Sequence, residues 1–238
     1  MDSGISMATT TDMDTVMSVD VDEEKSGTII NEATIVCMSL KFLGKFALEV
    51  LGCSVSIITR HRYGWTIKNI GMLSFVNGCL VIPISTTVGY LSQYHDDWTL
   101  LIGLLCMSCT GVLLLIDVTD FGPEISENYF NDQNWWSVGP YRYIAGIILE
   151  FCGFQASQSV VLSMLSKVVP LSLAKGTFNS GFIATSLTSL ARANGDVFIT
   201  IMGFVSIRQL LNLLSIPALL LAAFSIMLVL FHRHELSI

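Results

Sequence analysis

Residues 210–231 read LLNLLSIPALLLAAFSIMLVLF. There is no charge in this run, and its polar groups are confined to Asn212, Ser215 and Ser225. A helix at a water boundary needs a polar face, and this one has none. About 20 mostly apolar residues suffice to cross a hydrocarbon core about 30 Å thick. The stretch therefore reads as a membrane span, and the rest of the chain must be read with lipid as its solvent.

The whole composition agrees. Hydrophobic residues make up 52% of the 238 residues, before its 18 Gly are counted, and charged residues only 13%. Soluble domains carry about 25% charged residues. So few charges cannot cover a water-facing surface, which excludes a soluble enzyme, a nucleic-acid binder and a disordered protein. Five further stretches qualify as spans, making six at about 35–58, 67–92, 98–117, 143–166, 178–203 and 209–231. The first and fifth are the most polar, and the lowest hydropathy is expected there. Lipid requires internally satisfied backbone, and the short alternating strands of a barrel are missing, so the fold class is all-α: a polytopic protein of six transmembrane helices. An even number of spans puts both termini on one side, with the connections at 93–97 and 167–176. The connection at 118–140 lies opposite, its Trp135, Trp136, Tyr141 and Tyr143 reading as an interfacial belt.

The net charge of −7 is local. Residues 1–36 hold eight acids (Asp2, Asp12, Asp14, Asp20, Asp22, Glu23, Glu24, Glu32) against one base, Lys25, while the remainder holds eleven of each sign. We read 1–36 as an acidic disordered tail and 37–238 as the membrane domain. The six cysteines lie in apolar stretches, so they read as packing groups, the Cys106-x-x-Cys109 pair included.

A charge in a bilayer costs on the order of 2.5–3.5 kcal/mol and usually faces a bundle interior or a hydrated path. In the first span Lys41, Lys45 and Glu49 recur every four residues. Lys45 and Glu49 can pair, and Lys41 is expected to snorkel to the interface. The fifth span carries a stripe of Gly181, Thr185, Thr188, Ser189, Arg192 and Asp196, with Arg192 near its middle and Asp196 placed to neutralise it. Two readings stay open: a structural ion pair, or an anion ligand whose planar guanidinium matches two phosphate oxygens at once. The fourth span adds Gln155, Gln158, Ser159 and Ser163, and Glu150 as either a proton-coupling carboxylate or a hydrogen-bonding partner. No His-Glu-x-x-His, Gly-x-Ser-x-Gly or phosphate-loop pattern occurs, so no enzymatic activity, cofactor or metal is expected.

Several of these residues lie in a recognisable pattern. Ser163-Met-Leu-Ser-Lys-Val, Leu173-Ala-Lys-Gly-Thr-Phe-Asn179 and Leu190-Ala-Arg192-Ala-Asn-Gly-Asp196 resemble the SPX–major facilitator proteins, vacuolar phosphate transporters of plants and algae. Ala47-Leu-Glu49-Val-Leu agrees, as does Gly89-Tyr-Leu-Ser92-Gln-x-x-Asp96-Asp97, which lacks the usual Asp-Arg pair. The resemblance covers about residues 40–232 and corresponds to the C-terminal six-helix half of a twelve-helix facilitator, without the SPX domain. It implies cytosolic termini, a vacuolar or other endomembrane location, and a substrate cavity between two halves. It also implies transport of inorganic phosphate or a similar anion by alternating access. The paired polar stripes lead us to expect Arg192, Asp196, Lys45, Glu49, Thr185, Gln155 and Gln158 at the substrate, Arg192 contacting the anion and Asp196 tuning it. The implied partners are the bilayer, the anion, and a second half-transporter or homodimer, with no nucleic acid. The alternatives are a non-transporting regulatory or dimerising module and a lysosomal-type chloride facilitator.

Overall fold

The computed structural model describes residues 32–121, 137–169, 180–207 and 209–236. Most of the acidic tail, much of the loop with Glu124, Glu127, Asp132, Trp135 and Trp136, and the Lys175-Gly176-Thr177-Asn179 motif lie outside the described residues. The described residues form six long helices and no strand: α1 (Glu32–Tyr63), α2 (Ile67–Leu91), α3 (Asp97–Leu115), α4 (Pro140–Val168), α5 (Ser180–Val205) and α6 (Leu210–Phe231). A 3₁₀ turn, Val118–Phe121, follows α3, and a four-residue helix, α7 (Arg233–Leu236), follows α6. The protein is an all-α, multi-pass membrane protein.

Five of the six long helices are long and apolar enough to cross a bilayer; α5, with 26 residues, is long enough but too polar. The expectation for α5 thus holds. For α1 it holds over the full helix, the least hydrophobic of the six, but not in the most apolar 18-residue stretch, where its mean hydropathy of 1.6 exceeds the 1.5 of α2 and the 1.4 of α4. The apolar run after Glu49 offsets its charges, whereas amides and hydroxyls are spread along α4. Helix α1 also outruns its expected end at 58. Arg60, His61 and Arg62 continue the helix, where cations favour the negative end of the dipole. The stop comes at Gly64, whose φ of 61° suits glycine and lets the Trp65 N–H donate back to the Thr59 carbonyl at 3.2 Å.

Helix α1 packs on α4, α5 and α6, and α3 packs on α4 and α6. The buried stripe of α1 (Cys37, Leu40, Gly44, Ala47, Leu51, Val55, Ile58) follows the three-to-four spacing of a helix packing face. Close approach of α3 and α4 rests on glycine. A Cβ on Gly153 would sit 2.8 Å from the Leu104 carbonyl oxygen, and one on Gly146 would sit 2.8 Å from Leu115 Cδ2. In lipid such small residues let backbones meet, where packing rather than hydrophobicity drives association. Helix α2 is peripheral, with only Leu73 and Val88 buried.

Charged clasps close both ends. At one end Lys167 of α4 meets Asp97 of α3 at 2.6 Å. At the other, the fully buried Asp117 pairs with Arg62 of α1, accepts from the Val138 N–H at 2.9 Å, and donates its backbone N–H to Asn212 Oδ1 of α6 at 2.8 Å. Arg142 donates to the carbonyls of Leu114 (2.9 Å) and Ile116 (3.2 Å), and Tyr63 donates to that of Val138 at 2.7 Å. These contacts put the start of α3 with the end of α4, and the ends of α1 and α3 with the starts of α4 and α6.

Two stability predictions follow from these contacts. Gly153→Val should lower the thermal unfolding midpoint in detergent, at an overpacking cost of about 1–3 kcal/mol. Gly103→Val, with nothing within 4 Å of its Cβ position, should leave the midpoint in place. Asp117→Ala removes the buried carboxylate that Arg62, Thr119 and the Val138 N–H share and should cost about 3–5 kcal/mol, measured by the same melt. The double change Asp117→Leu with Arg62→Met should recover part of that loss.

Candidate functional site: a charged seam between the first and fifth helices

Helices α1 and α5 meet through small residues. Ala184, Ala191 and Ile199 are buried on α5, and Gly195 lies against α1, where a Cβ would stand 3.2 Å from Glu49 Cβ. Phe46 and Phe198 close the contact edge-on, ring centroids 5.7 Å apart. This approach delivers charges from both helices to one carboxylate. Glu49 Oε2 lies 3.3 Å from Lys45 Nζ and 3.3 Å from Arg192 Nε, while its Oε1 accepts from the Cys53 thiol at 3.3 Å.

The pairing differs from the expected one. Arg192 is neutralised by Glu49, not by Asp196, which makes no ion pair among the described residues. Four residues along a helix bring two side chains near each other, but the glycine-mediated contact with α1 brings Glu49 nearer still. Asp196 remains beside the cluster: its carboxylate, that of Glu49 and the Cys53 sulfur lie within 4.8 Å of one another. These three atoms are a donor set for a cation. Lys45 and Arg192 already engage Glu49, however, so the local charge is balanced without a metal.

Arg192 is 58% exposed along its side chain, against 14% for Glu49 and 15% for Lys45. Its neighbours on α5 use their own backbone. Thr185 donates to the Gly181 carbonyl, Thr188 to Ala184, Asn194 to Leu190 and Thr200 to Asp196, at 2.7–2.8 Å. Such back-bonding hides polar groups from lipid. Thr185 thus shares the exposed face of α5, but its hydroxyl is already engaged. Arg192 and Asp196 keep unused capacity.

Other expected residues go elsewhere. Lys41 does not snorkel. It is 9% exposed, and its Nζ reaches the Gln158 carbonyl oxygen at 3.4 Å. Each four-residue step turns a helix about 40°, so Lys41 faces α4 while Glu49 faces α5. Gln158 is buried with its amide nitrogen against Gly44, which seals the α1–α4 seam. Gln155 is half-buried, with Ser159 and Ser163 exposed near it on α4. Glu150 is 2% exposed, its backbone packed on Gly111 of α3 and its Oε1 without a hydrogen-bond partner among the described residues. It is not part of the Lys45–Glu49–Arg192 cluster.

Sequence reasoning missed Cys53, read only as packing. Its position four residues after Glu49 was the available signal. It also missed Asp117, which differs from the other loop acids by following directly on an apolar helix.

The sequence has relatives. Two SPX domain-containing membrane proteins of Arabidopsis thaliana are each 28% identical to it, over 87% and 84% of this chain. This chain is similar to the SPX domain-containing membrane proteins. One from Oryza sativa subsp. japonica is 29% identical over 84% of the chain. The chain spans 26–28% of the length of these relatives. No family model matches it, and no solved structure does.

The chemistry of the seam can be probed at Cys53. In variants that keep one cysteine, Cys53 should react with a charged methanethiosulfonate reagent added from water. Cys106, exposed on the Leu-rich α3, should not. Equal protection of both thiols would place the seam against lipid.

Proposed function

We propose that this chain forms one wall of a hydrated path for inorganic phosphate or a similar small anion, working by alternating access. The observation that carries this reading is the exposed Arg192 guanidinium, held against Glu49 on the one long helix too polar to count as a span. A guanidinium offers paired N–H donors to two oxygens of one anion and keeps its charge at any physiological pH. Glu49 orients it, Lys45 balances the carboxylate, and Asp196 sets the charge at the edge of the seam. Midplane sites of this kind, between repeats of a transporter, are where secondary carriers bind substrate. The resemblance to SPX–major facilitator proteins points the same way, and with it a vacuolar or other endomembrane location.

A second reading, a non-transporting module that joins another membrane segment, is favoured by α2. Its 25 residues bury only Leu73 and Val88, which leaves nearly all of its surface for lipid or a partner helix.

Phosphate uptake into vesicles reconstituted with the full chain separates the two. The transport reading expects uptake above protein-free vesicles, and a fall of at least about tenfold in Arg192→Ala, because a hydrogen bond to a charged group contributes about 1.5–3 kcal/mol. Wild-type uptake in Arg192→Ala, or none in the unmodified chain, would sink it.

A further inference from the structure

Eleven residues beyond Glu49, roughly 16 Å along α1, lies a groove that the anion path does not use. Its volume is about 680 Å³, and it opens between the end of α1, the start of α2 and the segment after α5. Two chemistries line it. Four isoleucines, Ile57, Ile67, Ile70 and Ile207, supply apolar walls, and Arg60 and His61 supply a basic corner. Ile67 is 83% exposed and Ile207 49%. Arg60 is exposed and, among the described residues, has neither a hydrogen bond nor an ion pair, whereas Arg62 two residues on is tied to Asp117. Tyr63 at the end of α1 and Trp65 just beyond it meet at a tilt, centroids 5.8 Å apart. Amphipathic aromatic rings at the end of a membrane helix mark the headgroup level.

We propose that this groove binds an anionic phospholipid, its phosphate at Arg60 and an acyl chain along the isoleucines. The recognised chemistry is a phosphate oxyanion, which a guanidinium grips through two N–H donors. Free phosphate offers that oxyanion but would lie against four apolar walls that it cannot use. A phospholipid matches both halves of the groove and already resides at this depth. Basic pockets between membrane helices at headgroup level suit such lipids. The proposal does not depend on transport, because it concerns a different end of α1 from the Glu49–Arg192 seam.

The test reads lipid retention. The full chain is placed in micelles holding equal phosphatidylglycerol and phosphatidylcholine, and the retained lipids are counted by native mass spectrometry. We expect phosphatidylglycerol to be retained over phosphatidylcholine by about fivefold or more: both carry the phosphodiester, but the choline cation of phosphatidylcholine offsets its charge and is repelled by Arg60, a difference of about 1 kcal/mol for one unit charge. Arg60→Gln should bring the ratio near one. Ile67→Asn, at a side chain that packs on little, should lower retention of both lipids. Arg233→Gln, an exposed cation at the opposite end, should leave the ratio unchanged. Millimolar inorganic phosphate should not displace the lipid. Equal retention of the two lipids, an unchanged ratio in Arg60→Gln, or release of phosphatidylglycerol by inorganic phosphate would each overturn the proposal, the last by assigning the groove to free phosphate.

Discussion

One carboxylate holds the α1–α5 pair in its arrangement. Glu49 takes Lys45 from its own helix and Arg192 from α5 on a single oxygen, each at 3.3 Å. None of the three could sit in hydrocarbon alone at an acceptable cost. The pairing needs α5 to come within side-chain reach of α1, and Gly195 permits that by leaving the space beside Glu49 empty. The charge network and the small-residue seam are thus one feature: the glycine sets the distance, and the ions make use of it.

The remaining charged pairs serve a different purpose, and burial separates the two kinds. Asp117 is fully buried; its carboxylate pairs with Arg62 and accepts from the Val138 N–H, and its backbone N–H donates to Asn212 Oδ1. A group so completely satisfied has nothing left to offer a ligand. Breaking such a pair is costly because it strands the partner, while its net contribution over an apolar substitute is small. Its value is in registering the ends of four helices against one another. Arg192 is the opposite case, with one carboxylate contact and more than half its side chain exposed.

Much of this was legible in the residues. Hydrocarbon thickness sets a length that six runs meet; each run lies on a long helix, five of them apolar enough to cross a bilayer, and α1 runs to Tyr63 rather than 58. The Lys45–Glu49 pair was legible because helical spacing fixes it locally. The Arg192–Glu49 pair was not, because 143 residues separate the partners and Asp196 offers a plausible local substitute. Lys41 misled for a related reason. The four-residue spacing puts it in line with Glu49, but the slow rotation of that line about the helix aims it at α4 and the Gln158 carbonyl. Asp117 stands at the end of the expected third span, and its role was not legible because it depends on Arg62 and Asn212 arriving from distant segments. Periodicity reports what lies on one helix and says nothing about which neighbour that face will meet.

The polarity of α5 sets the last constraint. Its threonines and Asn194 return their hydrogen bonds to carbonyls four residues back, so lipid would tolerate them. Arg192 cannot be hidden that way. A guanidinium has five donors and no neutral form in a protein, and Glu49 takes only one contact. The remaining donors must meet water, an anion or another polar wall. Snorkelling does not resolve this, because Arg192 lies near the middle of α5 and the side chain is turned to Glu49. A helix with that requirement cannot present this face to bare hydrocarbon. On the proposed transport reading, the exposure of Arg192, rather than its charge alone, is what would bring an anion to the α1–α5 seam.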